Sequence, residues 1–237
     1  MKFRMETAKK KGKKYFINQR WKPLKEISPY LVNAVLISED DRFYSHYGID
    51  WIELKESIKK DIKKKRFVRG ASTISQQVAK NLYLSPQKTI FRKFLEIIIA
   101  LKLEMFLSKN RILEIYLNIA EWGNGIYGAE SAAQFYFGKS AKELSPYESA
   151  SLASILPNPL KYTPDSKSRF IKRRRERILR IMEKRGILKD LKMNKIPTKN
   201  RYLKLQKCRG FISACVPIQR DFLFRLEFLM MQRIDFL

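Results

Sequence analysis

Two carboxylates stand apart by their surroundings. Glu39 follows the apolar run "YLVNAVLI" directly after Ser38. Glu96 lies among Phe94, Leu95, Ile97, Ile98 and Ile99. Burying a carboxylate is costly unless it finds a partner. For Glu96 the partners are at hand on a helix, Arg92 four residues back and Lys93 three back. Two readings of Glu96 therefore stand side by side: a buried ion pair, or a perturbed acid lining a cleft. Two carboxylates from different segments, converging on one cleft, are the usual apparatus for chemistry at a sugar's anomeric carbon. One exchanges a proton with a hydroxyl and the other serves the leaving side.

The chain's single histidine, His46, falls in the acidic stretch "SEDDRFYSHYGID", Ser38 to Asp50. A metal site, a buried acid-base pair and a solvated loop are all readings of that stretch. One histidine excludes a two-histidine metal site within the chain. Serine-histidine-aspartate catalysis would need His46, but no G-x-S-x-G pattern occurs. His46 is expected to fix its loop by hydrogen bonds, and Asp40 and Asp41 to face water. "SPQK" and "SIKK" match S-x-x-K without the companion K-T-G, and are chance matches. Cys208 and Cys215 have no zinc-ligand spacing and form no disulfide framework.

The elements that must carry these residues read as mainly α. Residues 1–24 look like a basic, weakly ordered lead-in. "PLKEISPYLVNAVLISEDDRF" reads as a helix, with Ser28 as N-cap and Pro29 at its first position. Tyr30, Leu31, Ala34, Val35 and Ser38 share one face, which leads the chain to Glu39. "IDWIELKESIKKDIKKKRF" is amphipathic, with Trp51, Ile52, Ile58 and Ile62 on its apolar face. The small and polar "GAST" precedes another helical run. Two helices then meet near residues 108–110, and "FLEIIIALKLEMFL" reads as buried. Gly123, Gly125 and Gly128 mark a loop, two further helices follow, and Pro157 and Pro159 close the second. A last helix ends at Gly186. No run shows sustained period-two alternation with turns of hairpin type, so the class is mainly α. Residues 187–237 follow no pattern that assigns a role.

The net charge is +27. Such a chain is drawn to polyanions: nucleic acid, anionic lipid or phosphorylated substrates. The basic clusters are "KKKGKK", "KKDIKKKR" and "KRRRER", each on its own a solvated face. No segment reaches ~18 consecutive apolar residues, and the basic start lacks the apolar core of a signal peptide.

Five motifs occur in a fixed order: "EDDRFYSHYGID", "RGASTISQQVAKNLYL", "RKFLE", "SKNRILEIYLNIAEWGNGIYGAESAAQFYFGK" and "LSPYESASLASILPNPLKY". Together they resemble the peptidoglycan glycosyltransferase family, in particular its monofunctional biosynthetic peptidoglycan transglycosylases from Gram-negative bacteria. The resemblance covers roughly residues 25–186. It implies a lysozyme-like large lobe with a smaller membrane-associating lobe. It implies polymerisation of lipid II into β-1,4 glycan strands, with release of undecaprenyl diphosphate, at the periplasmic face of an inner membrane.

By position, Glu39 is then the general base on the acceptor hydroxyl, and Glu96 assists at the donor. Lys80, Lys88 and Arg92 match residues that meet the donor diphosphate. Ser72, Thr73, Gln76 and Gln77 match the cleft-lining motif. Lys88 stands where relatives commonly carry arginine; it keeps the charge without the planar fork. Asp40, Phe43, His46, Gly48 and Asp50 are expected to shape the loop that presents Glu39. No tightly bound cofactor is implied, although a divalent cation, Mg or Mn, near Glu96 is compatible with a diphosphate donor.

The implied partners are lipid II, the growing strand, an anionic membrane surface and proteins of cell division or wall synthesis. Relatives usually carry an N-terminal transmembrane helix. Its absence from this sequence implies an upstream start or peripheral binding, and no transpeptidase domain follows. Two other classes stay in view. One is a non-catalytic scaffold of the same family. The other is a nucleic-acid binder, which charge alone suggests and no motif supports.

Overall fold

The computed structural model describes residues 16–64, 72–85, 87 and 89–188. "KKKGKK", Lys88, both cysteines and nearly all of the segment from Ile187 onward lie outside the described residues. Among the described residues there are eight α-helices. They are α1 (Pro29–Glu39), α2 (Trp51–Lys64), α3 (Ile74–Tyr83), α4 (Ile90–Phe106), α5 (Lys109–Ile119), α6 (Ala129–Phe137), α7 (Pro146–Ile155) and α8 (Arg169–Lys184). The mainly α reading holds.

The helices pack as two groups. α1, α7 and α8 form one, and α3, α4 and α5 form the other, with α6 against α5. Leu31, Ala34 and Val35 bury the inner face of α1, and Ile171, Ile178 and Met182 that of α8. Ile74, Leu103, Ile112, Leu113, Ile115, Tyr116 and Leu117 fill the second group. Glu104 locks this group together, accepting from Ser75 Oγ at 2.5 Å and Lys109 Nζ at 2.7 Å. Glu39, at the end of α1, therefore lies where residues of both groups can reach it.

Helix ends follow local chemistry. Ser108 and Ser145 cap α5 and α7, and Ser145 completes a capping box with Glu148. Ser28 precedes α1 as expected, but its hydroxyl donates to the Leu144 carbonyl at 2.9 Å instead of capping the helix. Glycine is required at the start of α6. Gly128 has φ +86°, and a Cβ there would lie 2.9 Å from the Asn118 carbonyl oxygen.

Two expectations are corrected, and one feature the sequence did not signal is added. A small sheet exists, in the order β1 (Asn18–Gln19), β3 (Ile126–Tyr127), β2 (Glu121–Gly123). Its strands are two or three residues long, too short to show an alternating pattern. The second half of the lead-in is fixed to the fold. β1 pairs with β3, Asn118 exchanges hydrogen bonds with the Lys22 backbone in both directions at 2.8 Å, and Leu24 N–H donates to Glu114 Oε2 at 2.9 Å. The run "FLEIIIALKLEMFL" is a helix, but a half-buried one. Phe94, Met105 and Phe106 are exposed, and Ile97 to Ile99 are only partly covered.

Candidate active site

The last turn of α1 delivers Glu39 against three neighbours. Its Oε2 accepts from Gln77 Nε2 of α3 at 3.2 Å. Its Oε1 accepts from Arg174 Nη2 of α8 at 3.2 Å and from the Ser38 hydroxyl at 2.9 Å. The same Arg174 nitrogen lies 2.6 Å from Ser38 Oγ, so one guanidinium ties residue and neighbour together. The carboxylate remains partly open to solvent. It is fixed by three donors and keeps partial access to solvent, the arrangement a general base needs.

The loop behind it is built from the acidic stretch. Asp40 was expected to face water; the structure buries it at 2% exposure. Its carboxylate is met by His46 Nε2 at 2.9 and 3.1 Å and by the Ile74 backbone N–H at 2.9 Å. Ile74 is the first residue of α3, so Asp40 places an acceptor at that helix's positive end. Asp41 stays exposed and pairs with Arg185 at 2.8 Å.

Asp50 is buried, bonded in a fork to Arg42 Nε at 2.9 Å and Nη2 at 2.6 Å, and accepts from Glu53 N–H at the start of α2. Phe43 is fully buried, edge-on to the His46 ring, with the Lys109 ammonium 4.4 Å from its centroid. Gly48 takes φ +71°, in the left-handed region, and its carbonyl accepts from Thr73 Oγ1 at 2.6 Å. Ligand atoms of Asp40, His46 and Asp50 come within 4.8 Å of one another. Their oxygens are already committed to a histidine, an arginine and two backbone N–H groups, so the cluster holds the loop rather than a metal.

The "STISQQ" residues divide by role. Thr73 and Gln76 form a capping box at the start of α3: Gln76 N–H donates to Thr73 Oγ1, and Thr73 N–H to Gln76 Oε1, each at 3.2 Å. Both are buried, and these bonds occupy them with positioning the helix. Gln77 reaches Glu39. Ser72 Oγ accepts from Lys93 Nζ at 3.1 Å, next to Glu96.

Glu96 is 3% exposed. Its Oε2 accepts from Arg92 Nη1 at 3.1 Å and its Oε1 from Lys93 Nζ at 2.5 Å. The ion-pair reading is what the geometry shows. Both oxygens are engaged by cations, one by Arg92 and one by Lys93. Lys80 is exposed as a residue, but desolvation of its ammonium lowers its pKa; Glu96 opposes that shift, Arg92 and Lys93 add to it, and Glu39 opposes it. Glu39 and Glu96 thus lie within electrostatic reach of one lysine, which joins Glu39 to the cation cluster.

Sequence reasoning missed Arg174, which it left in the solvated cluster "KRRRER". The signal was there: Arg174 shares the helical face of Ile171, Ile178 and Met182, all buried. It also missed Tyr116, whose hydroxyl donates to Gln77 Oε1 at 3.3 Å from inside the core.

Comparison with known proteins gives this geometry a lineage. The family model described as transglycosylase matches residues 7–183. The biosynthetic peptidoglycan transglycosylase of Azoarcus sp. (strain BH72) is 48% identical over 162 residues, 68% of this chain and 70% of that protein. The protein of the same name from Nitrosospira multiformis is 44% identical over 179 residues, covering 76% and 78%. That from Alcanivorax borkumensis is 48% identical over 170 residues, covering 72% and 68%. The match spans every element that presents Glu39, Glu96 and their partners, and with it the chain belongs to the transglycosylase family.

Proposed function

We propose that this protein is an inverting peptidoglycan glycosyltransferase that polymerises lipid II into β-1,4 glycan strands and releases undecaprenyl diphosphate. One observation carries the reading. A fixed, partly exposed carboxylate stands on one side of Lys80 and a cation cluster on the other, both within electrostatic reach of that lysine.

In this reading Glu39 takes the proton from the acceptor sugar's 4-hydroxyl as its oxygen attacks the donor's anomeric carbon. Attack from the face opposite the leaving group inverts the centre, so no sugar-enzyme bond forms. The leaving diphosphate needs positive charge more than it needs a proton. Lys80, Arg92 and Lys93 supply that charge, and Glu96 holds the last two in place. Arg174 and Gln77 keep Glu39 aimed. Lys88 belongs with the diphosphate residues by position in the family motif.

The apolar side chains left exposed on α2 and at the start of α4 are read as the part that rests on lipid. This supports a reaction at the surface of the inner membrane. Among the described residues no helix is long and apolar enough to cross a membrane.

Glu39→Gln tests the assignment. Polymerisation of lipid II by the purified variant should fall at least ~10³-fold, since removing a required base forfeits both proton transfer and local charge. The circular dichroism spectrum should be unchanged. Glycan synthesis near the wild-type rate would overturn the role, and a folded wild-type protein that consumes no lipid II would favour a scaffold instead.

A further inference from the structure

Tyr116, on α5, is a buried core residue, yet its hydroxyl points at the site. It donates to Gln77 Oε1 at 3.3 Å, and Gln77 Nε2 donates onward to Glu39 Oε2 at 3.2 Å. The two ends of a carboxamide are not equivalent: the oxygen accepts and the nitrogen donates. An ionised carboxylate only accepts. Of the two amide orientations, one gives Glu39 a donor and the other sets a carbonyl against its charge.

We infer that Tyr116 is a positioning residue that holds the Gln77 amide with its nitrogen toward Glu39, and so keeps the base aimed. The link to catalysis rests on the glycosyltransferase reading; the link to Gln77 does not.

The surroundings are consistent with this. Burial raises the Tyr116 phenol well above its ordinary value, with the charges of Glu39 and Asp40 adding and Arg174 opposing. The hydroxyl therefore keeps its proton and stays a donor across any working pH. The groups around Glu39 come from α1, α3, α5 and α8. Arg174, itself beside Arg177, comes from α8; Gln77 and Lys80 come from α3; Tyr116 comes from α5; Ser38 and Asp40 flank Glu39 in sequence, and Asp40 is held by His46. Arg174 touches the carboxylate directly. Tyr116 reaches it through Gln77, whose orientation the other groups leave open at its far end.

The experiment compares wild type with Tyr116→Phe, Gln77→Ala and the double variant. The first readout is the pH titration of the Gln77 side-chain amide resonances in ¹⁵N-labelled protein, assigned by their loss in Gln77→Ala. In Tyr116→Phe their titration midpoint moves to higher pH, because the amide no longer favours the orientation that serves an ionised Glu39. The second readout is lipid II polymerisation against pH. The acid limb moves the same way, kcat falls about three- to tenfold, and KM changes less than twofold, as expected for losing one neutral hydrogen bond behind the base.

In the Gln77→Ala background Tyr116→Phe adds nothing further. An unmoved amide midpoint in Tyr116→Phe, or an equal effect of that substitution without Gln77, overturns the inference. Site-specific 3-fluorotyrosine at position 116, a stronger donor, moves the midpoint down, and decides the matter if Tyr116→Phe does not fold. If wild type makes no glycan, the reaction assignment fails while the amide titration still judges Tyr116.

Discussion

At the residue scale the site is a matter of which side chains spend their hydrogen bonds on each other. Arg174 spends one nitrogen on both Ser38 and Glu39, and stands largely inside the fold. Removing it strips a charge-assisted bond from the base and leaves a gap beside it. Arg174→Ala should lower kcat for polymerisation about 30- to 100-fold, the equivalent of about 2–3 kcal/mol for a bond to a charged group. Arg174→Lys should recover part of the loss, since it keeps the charge but not the fork. Steady-state rates on lipid II, with thermal unfolding alongside, check both; equal losses for the two variants would show that packing, not charge, is at stake. Glu39 and Glu96 were legible in the sequence because an acid beside an apolar run is itself anomalous. Arg174 was not, because six basic and acidic letters in a row hide the one that turns inward. Asp40 was misread for the same reason: "EDD" does not show which carboxylate meets a helix end.

At the scale of elements, the helices were legible and the clasp between them was not. Caps, prolines and apolar spacing marked the helices, but the run read as one helix from Pro23 to Phe43 forms α1 only over Pro29–Glu39, between short 3-10 turns at Leu24–Glu26 and Phe43–Ser45. The two-residue strands and the Trp122–Tyr136 clasp depend on contacts far apart in sequence. Tyr136, on α6, donates to the Trp122 carbonyl in β2 at 3.0 Å. A Cβ on Gly123 would lie 2.6 Å from that hydroxyl, so the glycine makes room for the bond. Burial pushes the Tyr136 phenol from near 10 up to about 12, with the charge of Asp165 adding. The folded chain therefore keeps a proton that the unfolded chain gives up first. The resulting stability is whole below pH ~10 and drains away as pH rises toward ~12, about 2 kcal/mol in all after allowance for partial exposure. Tyr136→Phe should be less stable at neutral pH but lose less between pH ~9 and ~11 than wild type. Urea unfolding at the two pH values measures the difference, and parallel losses in the two proteins would refute the assignment.

At the scale of the whole molecule, charge and exposed apolar surface act together. The chain carries a net charge of +27, yet the side chains the sequence placed on the apolar face of α2 are not buried in the fold: Trp51, Ile52, Ile58 and Ile62 are all exposed, Ile62 at 74%. At the start of α4, Ile90 and Phe91 are exposed at 92% and 70%. Isolated exposed apolar residues need no account, but large ones repeated on two helices of so basic a chain call for a partner that is apolar and anionic at once. A bilayer bearing anionic lipid is such a surface. Nucleic acid offers the charge without an apolar phase for these side chains. Each lysine or arginine near the surface contributes about 1 kcal/mol, screened by salt, while each inserted large apolar side chain contributes about 1.5–3 kcal/mol that salt does not screen. Sedimentation with vesicles of phosphatidylcholine and phosphatidylglycerol should therefore show binding that weakens with salt but keeps a salt-resistant part. Replacing Ile90 and Phe91 with serine should remove that part, lowering partition at high salt at least about tenfold while leaving the low-salt attraction largely in place. Full release of the wild type by salt alone, or an unchanged partition of the double variant, would show that charge alone brings this protein to a membrane, and that the exposed faces of α2 and α4 serve another partner.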